Sequence, residues 1–402
     1  MSAGTDLGGL RRINELAILN AVRSGADTLT EVVRRTGLAR ASVGEVTRDL
    51  VASGWLSEAA PVVRGRGRPA ARYEYRAAAG VLIGADIGAF NLRVALADLD
   101  GRPLAQSRRF TTPELDAGRR LRILDAAVDE CLRAAGRDRN EVWGAVAGTT
   151  GRVGEGRVLL SAAIPDWTGV DLAEHLRDRL PDCLVGVEND SRLAALAEHK
   201  LGGIPLDESP GAWPGVVGRG RTQSLVLLQA GRRTGLGLVV NGRPHAGFGG
   251  VAGDLSRFPA LKWEGAMEYL QQSGVAPTSG PTSDPVADTL NAAIEGSPAA
   301  IAAVRRYVRM LANTAGAVVS ILDPEVLVLG GSLATYGELL LPLLASDLEL
   351  LCLRMPRLEA STLGSEGALL GALCAAAELV DDALVGTGPG PLPVHARPKV
   401  ST

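Results

Sequence analysis

At 402 residues the chain exceeds the usual span of one domain, and with 46% hydrophobic and 22% charged residues it has the material for two or three packed cores, which excludes a disordered or fibrous class. No apolar run reaches the ~18 residues of a membrane helix and the first residues lack a signal-peptide core, so a cytoplasmic protein with no membrane partner is expected. The net charge of −3 argues against a nucleic-acid binder, but residues 1–80 carry +4 and the remainder −7, the pattern of a basic DNA-binding module on a larger acidic body.

Residues 10–26 place Ile13, Leu16, Ala17, Leu19 and Val22 near a helical repeat that ends at Gly25. Thr28 to Glu31 then form a capping-box pattern opening a short helix, which Gly37 stops in a left-handed turn. A third helix is expected from Ala39 to about Ala52. Helix, glycine turn and helix in this order predict a helix-turn-helix. Val43, Val46 and Leu50 share the inner face of the third helix, leaving Ala41, Gly44, Glu45 and Arg48 on the opposite one, with Arg40 and Ser42 at its exposed start. The N-terminal part of a recognition helix reaches base edges, and small residues at 41, 42 and 44 would let it approach closely. Residues 62–76 alternate β-formers about a turn-rich tip, as a two-stranded wing would. Its Arg64, Arg66 and Arg68, separated by glycines, suit a narrow minor groove. Residues 1–78 are thus expected to be a winged helix-turn-helix, with double-stranded operator DNA as partner.

From Val81 the pattern becomes α/β. Strand, glycine turn, strand, Asp-Gly hairpin and strand occupy 81–106, followed by a helix at 119–136 and a strand and loop at 142–153. A strand, polar turn and helix follow across 184–202. A second set repeats the theme: strands within 224–250, helices near 263–273 and 298–322, and a strand at 325–333. A small-residue helix at 365–381 and a Gly/Pro-rich tail close the chain. Cys131, Cys183, Cys352 and Cys374 lie far apart, which excludes a zinc cluster and predicts four buried, inert thiols. His175 and His199 sit on charged helical stretches and read as surface residues, while His245 lacks cysteine partners for a metal.

The turn at Asp86-Ile87-Gly88 resembles the first phosphate loop of the actin-like ATPase fold. Further pieces, IPDWTG at 164–169, VEND at 187–190, VVNGRPHAGFGGVAGD at 239–254 and LDPEVLVLGG at 322–331, extend the likeness. In order and spacing the chain is similar to the ROK family of bacterial sugar kinases and repressors over essentially its whole length. The resemblance implies a two-lobed, actin-like (ribonuclease H-like) body behind the head. One lobe would span 79–190, rejoined by helix 365–381, and the second 191–364, with a flexible tail at 382–402.

Family kinases use an Asp after Asn as general base, present here as Asn189-Asp190, and glycine-threonine loops to hold the ATP phosphates. Where the first loop normally reads D-x-G-G-T-K, this chain has Asp86-Ile87-Gly88-Ala89-Phe90-Asn91. The second, normally G-T-G-x-G-x-G, becomes Gly231-Arg232-Arg233-Thr234-Gly235-Leu236-Gly237. Phosphoryl transfer rests on positioning and charge neutralisation, so loss of both loops predicts no kinase activity. On the sugar side the resemblance implies ligand contacts from Asn189, Asp190, Asp254, Arg257 and Glu268, with Trp167 in a neighbouring loop motif. Arg257 stands where family members keep a histidine, and the cysteine-rich zinc loop is absent, so neither metal nor cofactor is expected. An arginine there also admits an acidic or phosphorylated ligand. The expected function is a DNA-binding regulator, a repressor of carbohydrate-related genes, acting as a homodimer or homotetramer and modulated by a sugar or sugar derivative. The alternatives are an active sugar kinase, or a ligand-independent DNA-binding protein whose body only oligomerises.

Overall fold

The computed structural model describes residues 7–59, 71–203, 220, 222–230, 235–255, 265–273 and 284–385. The head consists of α1 (Leu7–Arg23), α2 (Leu29–Thr36), α3 (Arg40–Ala52), β1 (Leu56–Ala59) and β2 (Arg72–Tyr75). The Thr28 hydroxyl accepts from the Glu31 N–H, while the Glu31 carboxylate reaches back to the Asp27 N–H, one residue before the cap. Gly37 ends α2 at φ 69° and donates to the Val33 carbonyl, the left-handed stop its sequence predicts. Val43, Val46 and Leu50 of α3 are buried against α1 and α2. β1 and β2 pair antiparallel from Leu56↔Tyr75 to Ala59↔Arg72, and Thr28 bridges to Arg72 as a third short edge. The first wing strand therefore lies upstream of the expected 62–76, because Trp55 and Leu56 enter the core directly after α3. Residues 60–70, with Arg64, Arg66 and Arg68, lie outside the described residues.

The body holds two five-stranded sheets of matching design. In the first, β3 (Val81–Ile87), β4 (Asn91–Asp98) and β5 (Pro103–Phe110) form an antiparallel meander. α4 (Ala117–Ala135) leads to β6 (Val142–Thr149), which pairs parallel with β3. The hairpin β7 (Arg152–Gly154) and β8 (Arg157–Leu160), then α5 (Leu172–Arg179), precede β9 (Leu184–Asn189), which adds in parallel to give the order β5-β4-β3-β6-β9. α6 (Asp190–Leu201) crosses to the second sheet. There β10 (Ser224–Gln229), β11 (Gly235–Val240) and β12 (Arg243–Pro244) repeat the meander. After α7 (Ala266–Gln271), α8 (Pro285–Ile294) and α9 (Pro298–Leu322), strand β13 (Val326–Gly330) pairs parallel with β10. α10 (Gly337–Leu348) and β14 (Arg357–Ala360) complete the order β12-β11-β10-β13-β14. α11 (Gly367–Val385) then packs back on the first sheet, against α6, β3 and β6.

α6 and α11 form the seam between the sheets. A Cβ on Gly371 would collide with the Leu193 carbonyl, and one on Gly237 with the Ser191 carbonyl, so α6 is gripped by backbone contact from both sides. Among the described residues no helix is long and apolar enough to cross a membrane.

Several boundaries differ from expectation. The helix expected at 119–136 runs 117–135, opened by Asp116, whose carboxylate accepts from the Arg119 N–H. α11 extends to Val385, beyond the expected 381, because Asp381 is paired and Ala383 is buried, so only residues 386–402 of the expected tail lie outside the described residues. His199 is buried rather than a surface residue, and His175 is partly buried against Asp125 at 2.8 Å. Cys131 and Cys374 are buried, but Cys183 and Cys352 only partly so. Burial pushes the Cys131 and Cys183 thiols up to about 12.

Candidate DNA interface and effector cleft

Toward the start and middle of α3, Arg40, Ala41, Glu45 and Arg48 are exposed, with Ser42 and Gly44 half-exposed beside them. A Cβ on Gly44 would meet no heavy atom, so open space lies in front of this face. The two arginines are not loose. Arg40 Nη1 donates to Thr30 Oγ1 of α2 at 3.2 Å, and Arg48 Nε folds back to the Gly44 carbonyl at 3.2 Å. Sequence reasoning missed Arg11 of α1. Its guanidinium pairs with Asp49, stands 3.5 Å from Glu45 and 3.4 Å from Glu15, and so offsets the acids of α3. The clue was a surplus of negative side chains, Glu45 and Asp49, one turn apart on a helix meant for DNA.

In the body, Asn189 ends β9 and caps α6. Its side-chain oxygen accepts from the N–H groups of Ser191 at 3.0 Å and Arg192 at 3.2 Å. Its amide donates to the Gly151 carbonyl at 3.0 Å, fixing the turn before β7. Asp190 Oδ1 accepts from the Ser191 N–H at 2.7 Å and from the Asn189 amide at 3.1 Å. The helix-capping role thus falls on Asn189, leaving Asp190 half-buried in the first turn, where the positive end of the helix dipole favours its charge.

The loop 245–254 meets this corner from the second sheet. Buried Arg192 pairs with Glu188 and donates through Nη1 to the Gly250 carbonyl at 3.0 Å, and Arg152 Nε donates to the Gly249 carbonyl at 3.0 Å. Gly250, at φ 69°, lies so close to the Val153 carbonyl that no side chain fits. These contacts bring the loop bearing exposed Asp254 alongside the start of α6. Arg257 lies outside the described residues. Glu268, on α7, lines a separate concavity of about 430 Å³ with Tyr269, Gln272, Ser273 and Arg306; Asn189, Asp190 and Asp254 are not among its walls. Trp167 is fully buried, and its indole N–H donates to Thr149 Oγ1 at 2.8 Å, which makes it a core residue.

The turn that resembles a first phosphate loop is tied to charged side chains of the protein itself. Arg93 Nε donates to Asp86 Oδ2 at 3.1 Å, and Nη1 to Glu366 at 2.7 Å. Burial works against the charge on Arg93, but Asp86 and Glu366 outweigh it and hold the pKa above its ordinary value. Arg120, fully buried, braces the same turn through the Gly88 carbonyl at 2.8 Å and Thr111 Oγ1 at 3.2 Å, and burial depresses its pKa. Of the second loop, Gly231–Thr234 lies outside the described residues; Gly235 and Gly237 pack on Ser191.

Comparison with known proteins agrees with this geometry. An IclR helix-turn-helix domain matches residues 15–59. The chain is 21% identical to a xylose repressor of Caldicellulosiruptor bescii, over 83% of this chain and 86% of that protein. It is 29% identical to an N-acetyl-D-glucosamine kinase of Escherichia coli, over 72% of this chain and 97% of the kinase. Among solved structures, a ROK family transcriptional regulator, a homologue of the E. coli MLC protein, superposes with TM-score 0.72 at 21% identity, covering 94% of this chain and 98% of that one. A ROK family glucokinase from Streptomyces griseus superposes with TM-score 0.60 at 22% identity, covering 74% of this chain and all of that one. The ROK family pattern itself matches residues 82–260 and 269–378, and the chain, a helix-turn-helix head on an actin-like body, belongs to the ROK family.

Proposed function

We propose that this protein is a cytoplasmic transcriptional repressor of carbohydrate-related genes, which binds operator DNA through α3 and the wing and responds to a sugar or sugar derivative in the cleft beside Asn189 and Asp190. The observation that carries the reading is the contrast between the two halves of the former kinase site. The sugar-facing corner keeps Asn189 and Asp190 in place, while Asp86 of the phosphate side is tied to Arg93. On this reading the protein is not an ATP-dependent enzyme and uses neither metal nor cofactor.

The division of labour follows the domains proposed from the sequence: a head over 1–78, a lobe over 79–190 rejoined by α11, and a lobe over 191–364. Two heads, in a homodimer or homotetramer, would read a pseudo-palindromic site, with Ala41, Ser42, Gly44 and Glu45 facing base edges, Arg40 and Arg48 meeting phosphates or guanine, and Arg64, Arg66 and Arg68 lying in the minor groove. Asp190 and Asp254 would accept hydrogen bonds from sugar hydroxyls, with Arg257 as a further ligand from the second lobe, while Glu268, in its separate concavity, stands outside this set. A sugar shifts DNA affinity only if it binds one arrangement of the lobes better than the other.

Gel shift of the promoter region of its own gene, with and without a panel of hexoses, pentoses, amino sugars and their phosphates, tests this. One sugar should change DNA affinity at least about tenfold, and Asp190→Asn should abolish that change without weakening sugar-free DNA binding. DNA binding that no sugar alters would sink the sensing half and favour a body that only oligomerises.

A further inference from the structure

Arg23 is the last residue of α1, yet its side chain is 6% exposed and lies where head meets body. Nη1 donates to both oxygens of Asp381 on α11, at 2.9 and 3.2 Å, while Nη2 hydrogen-bonds the Tyr75 hydroxyl on β2. The guanidinium also stacks 4.1 Å above the Tyr75 ring, and Nε stands 3.7 Å from Asp100 in the β4–β5 turn. One cation therefore joins the helix and wing of the head to two elements of the body. Beside it, Trp55 packs edge-on against Trp143 of β6, with ring centroids 5.0 Å apart.

α11 carries this joint at one end and the seam between the sheets at the other. It leaves the second sheet after β14, crosses α6 at the Gly371–Leu193 backbone contact, and ends at the Arg23 cluster. α6 begins at the Asn189 cap, in the proposed effector cleft, and rests on Gly235 and Gly237 of the second sheet. A change in the angle between the sheets must turn about this glycine-lined crossing, and whatever is fixed to α11 turns with the first sheet.

We infer that Arg23 is a positioning residue for DNA recognition: it fixes the orientation of the head on the body, and so sets the separation and phase of two operator half-sites. Arginine suits the task because its rigid, planar fork can serve Asp381, Tyr75 and Asp100 together, whereas a lysine ammonium is a single point. A buried ion cluster adds little net stability over apolar packing. What it adds here is one geometry, since an apolar joint would slide and this one cannot without unpairing charge. The inference rests on the paired-head reading above and adds to it the residue that makes spacing matter.

The test uses full-length protein and the duplex that the wild type selects from a random-sequence pool, together with versions whose half-sites are moved by one or two base pairs. Each base pair turns the second site by roughly 34°. Wild type should lose at least tenfold in affinity at a two-base-pair shift. Arg23→Ala should bind the selected duplex within a fewfold of wild type, yet lose less than threefold on shifting, and Arg23→Lys should recover part of the preference. Should Arg23→Ala fail to fold, Arg23→Met with Asp381→Leu, which removes both charges, makes the same comparison. A folded variant with the wild-type spacing profile overturns the inference. If wild type selects only a single, unpaired site, the paired-head reading falls instead, and amide exchange decides this one. Slow exchange over 19–23 and 377–381 in wild type that turns fast in Arg23→Ala supports it, and unchanged exchange overturns it.

Discussion

Arg93 and Asp86 stand directly opposite each other on the antiparallel pair β4–β3, and the guanidinium of one neutralises the carboxylate of the other at 3.1 Å. Cross-strand partners share a face, so this pairing is written into the register and not into a mobile loop. Asp86 is the residue that the family resemblance assigns to the first phosphate loop. Full-length protein with Mg-ATP and a panel of hexoses and amino sugars should therefore release no ADP above a protein-free control in a coupled assay. Arg93→Ala should not restore turnover, and should destabilise the first sheet by about 3–5 kcal/mol by leaving Asp86 buried without its partner. Sugar-dependent ADP release that disappears in Asp190→Asn would overturn the regulator reading.

Gly44 offers a separate test of the recognition face. It lies inside α3 in ordinary helical backbone, with open space where a Cβ would stand. Helix propensity alone makes Gly44→Ala about 1 kcal/mol more stable, a rise of a few degrees in the head's melting temperature. On the proposed interface, the added methyl points toward the base edges. Gly44→Leu should fold and weaken DNA binding at least tenfold, measured by gel shift against circular dichroism as the folding control.

Arg11 separates stability from electrostatics. Its pairs with Glu45 and Asp49 are exposed, so Arg11→Ala should cost no more than about 0.5–1 kcal/mol of stability. The same change leaves two carboxylates of α3, Glu45 and Asp49, uncompensated on the face proposed to meet DNA. DNA affinity should fall severalfold at low salt, less at high salt, and Glu45→Gln in the Arg11→Ala background should recover most of it. Affinity indifferent to Arg11 would place the DNA-facing surface elsewhere on the head.

The head and the repeated sheets were legible in the sequence because their signals are local. Thr28, Glu31 and Gly37 punctuate α2, and the short, mainly apolar runs of β3, β6, β10 and β13, bounded by glycine and polar turns, read as buried strands. α8 escaped notice although Asp284 caps it, since a short helix after a loop carries too few residues to establish a period. The charged partnerships were illegible for a different reason. Arg23 meets Asp381 across 358 residues and Arg93 meets Glu366 across 273, and no local pattern announces such a pair. His199 misled because a polar residue on a charged helix reads as exposed, whereas α6 is gripped on both sides and buries nearly every residue it has. At the cleft the order Asn189-Asp190 was plain, but the assignment of the cap to Asn189 depends on hydrogen bonds that only the fold supplies.

That assignment yields the remaining prediction, which separates fold from ligand at two adjacent residues. Asn189→Ala removes the cap of α6 and the bond to the Gly151 carbonyl, and should cost about 1–2 kcal/mol of stability. Asp190→Asn keeps the backbone acceptor and loses only a favourable charge at the helix start, about 0.3–1 kcal/mol. Ligand binding should rank the two variants the other way. Asp190→Asn should lose the rise in melting temperature that the effector sugar gives the wild type, because an amide cannot replace a carboxylate accepting from two hydroxyls. Asn189→Ala should keep part of that rise from a lower starting temperature. Equal ligand shifts in Asp190→Asn and wild type would mean that Asp190 serves only the helix, and that the effector binds elsewhere.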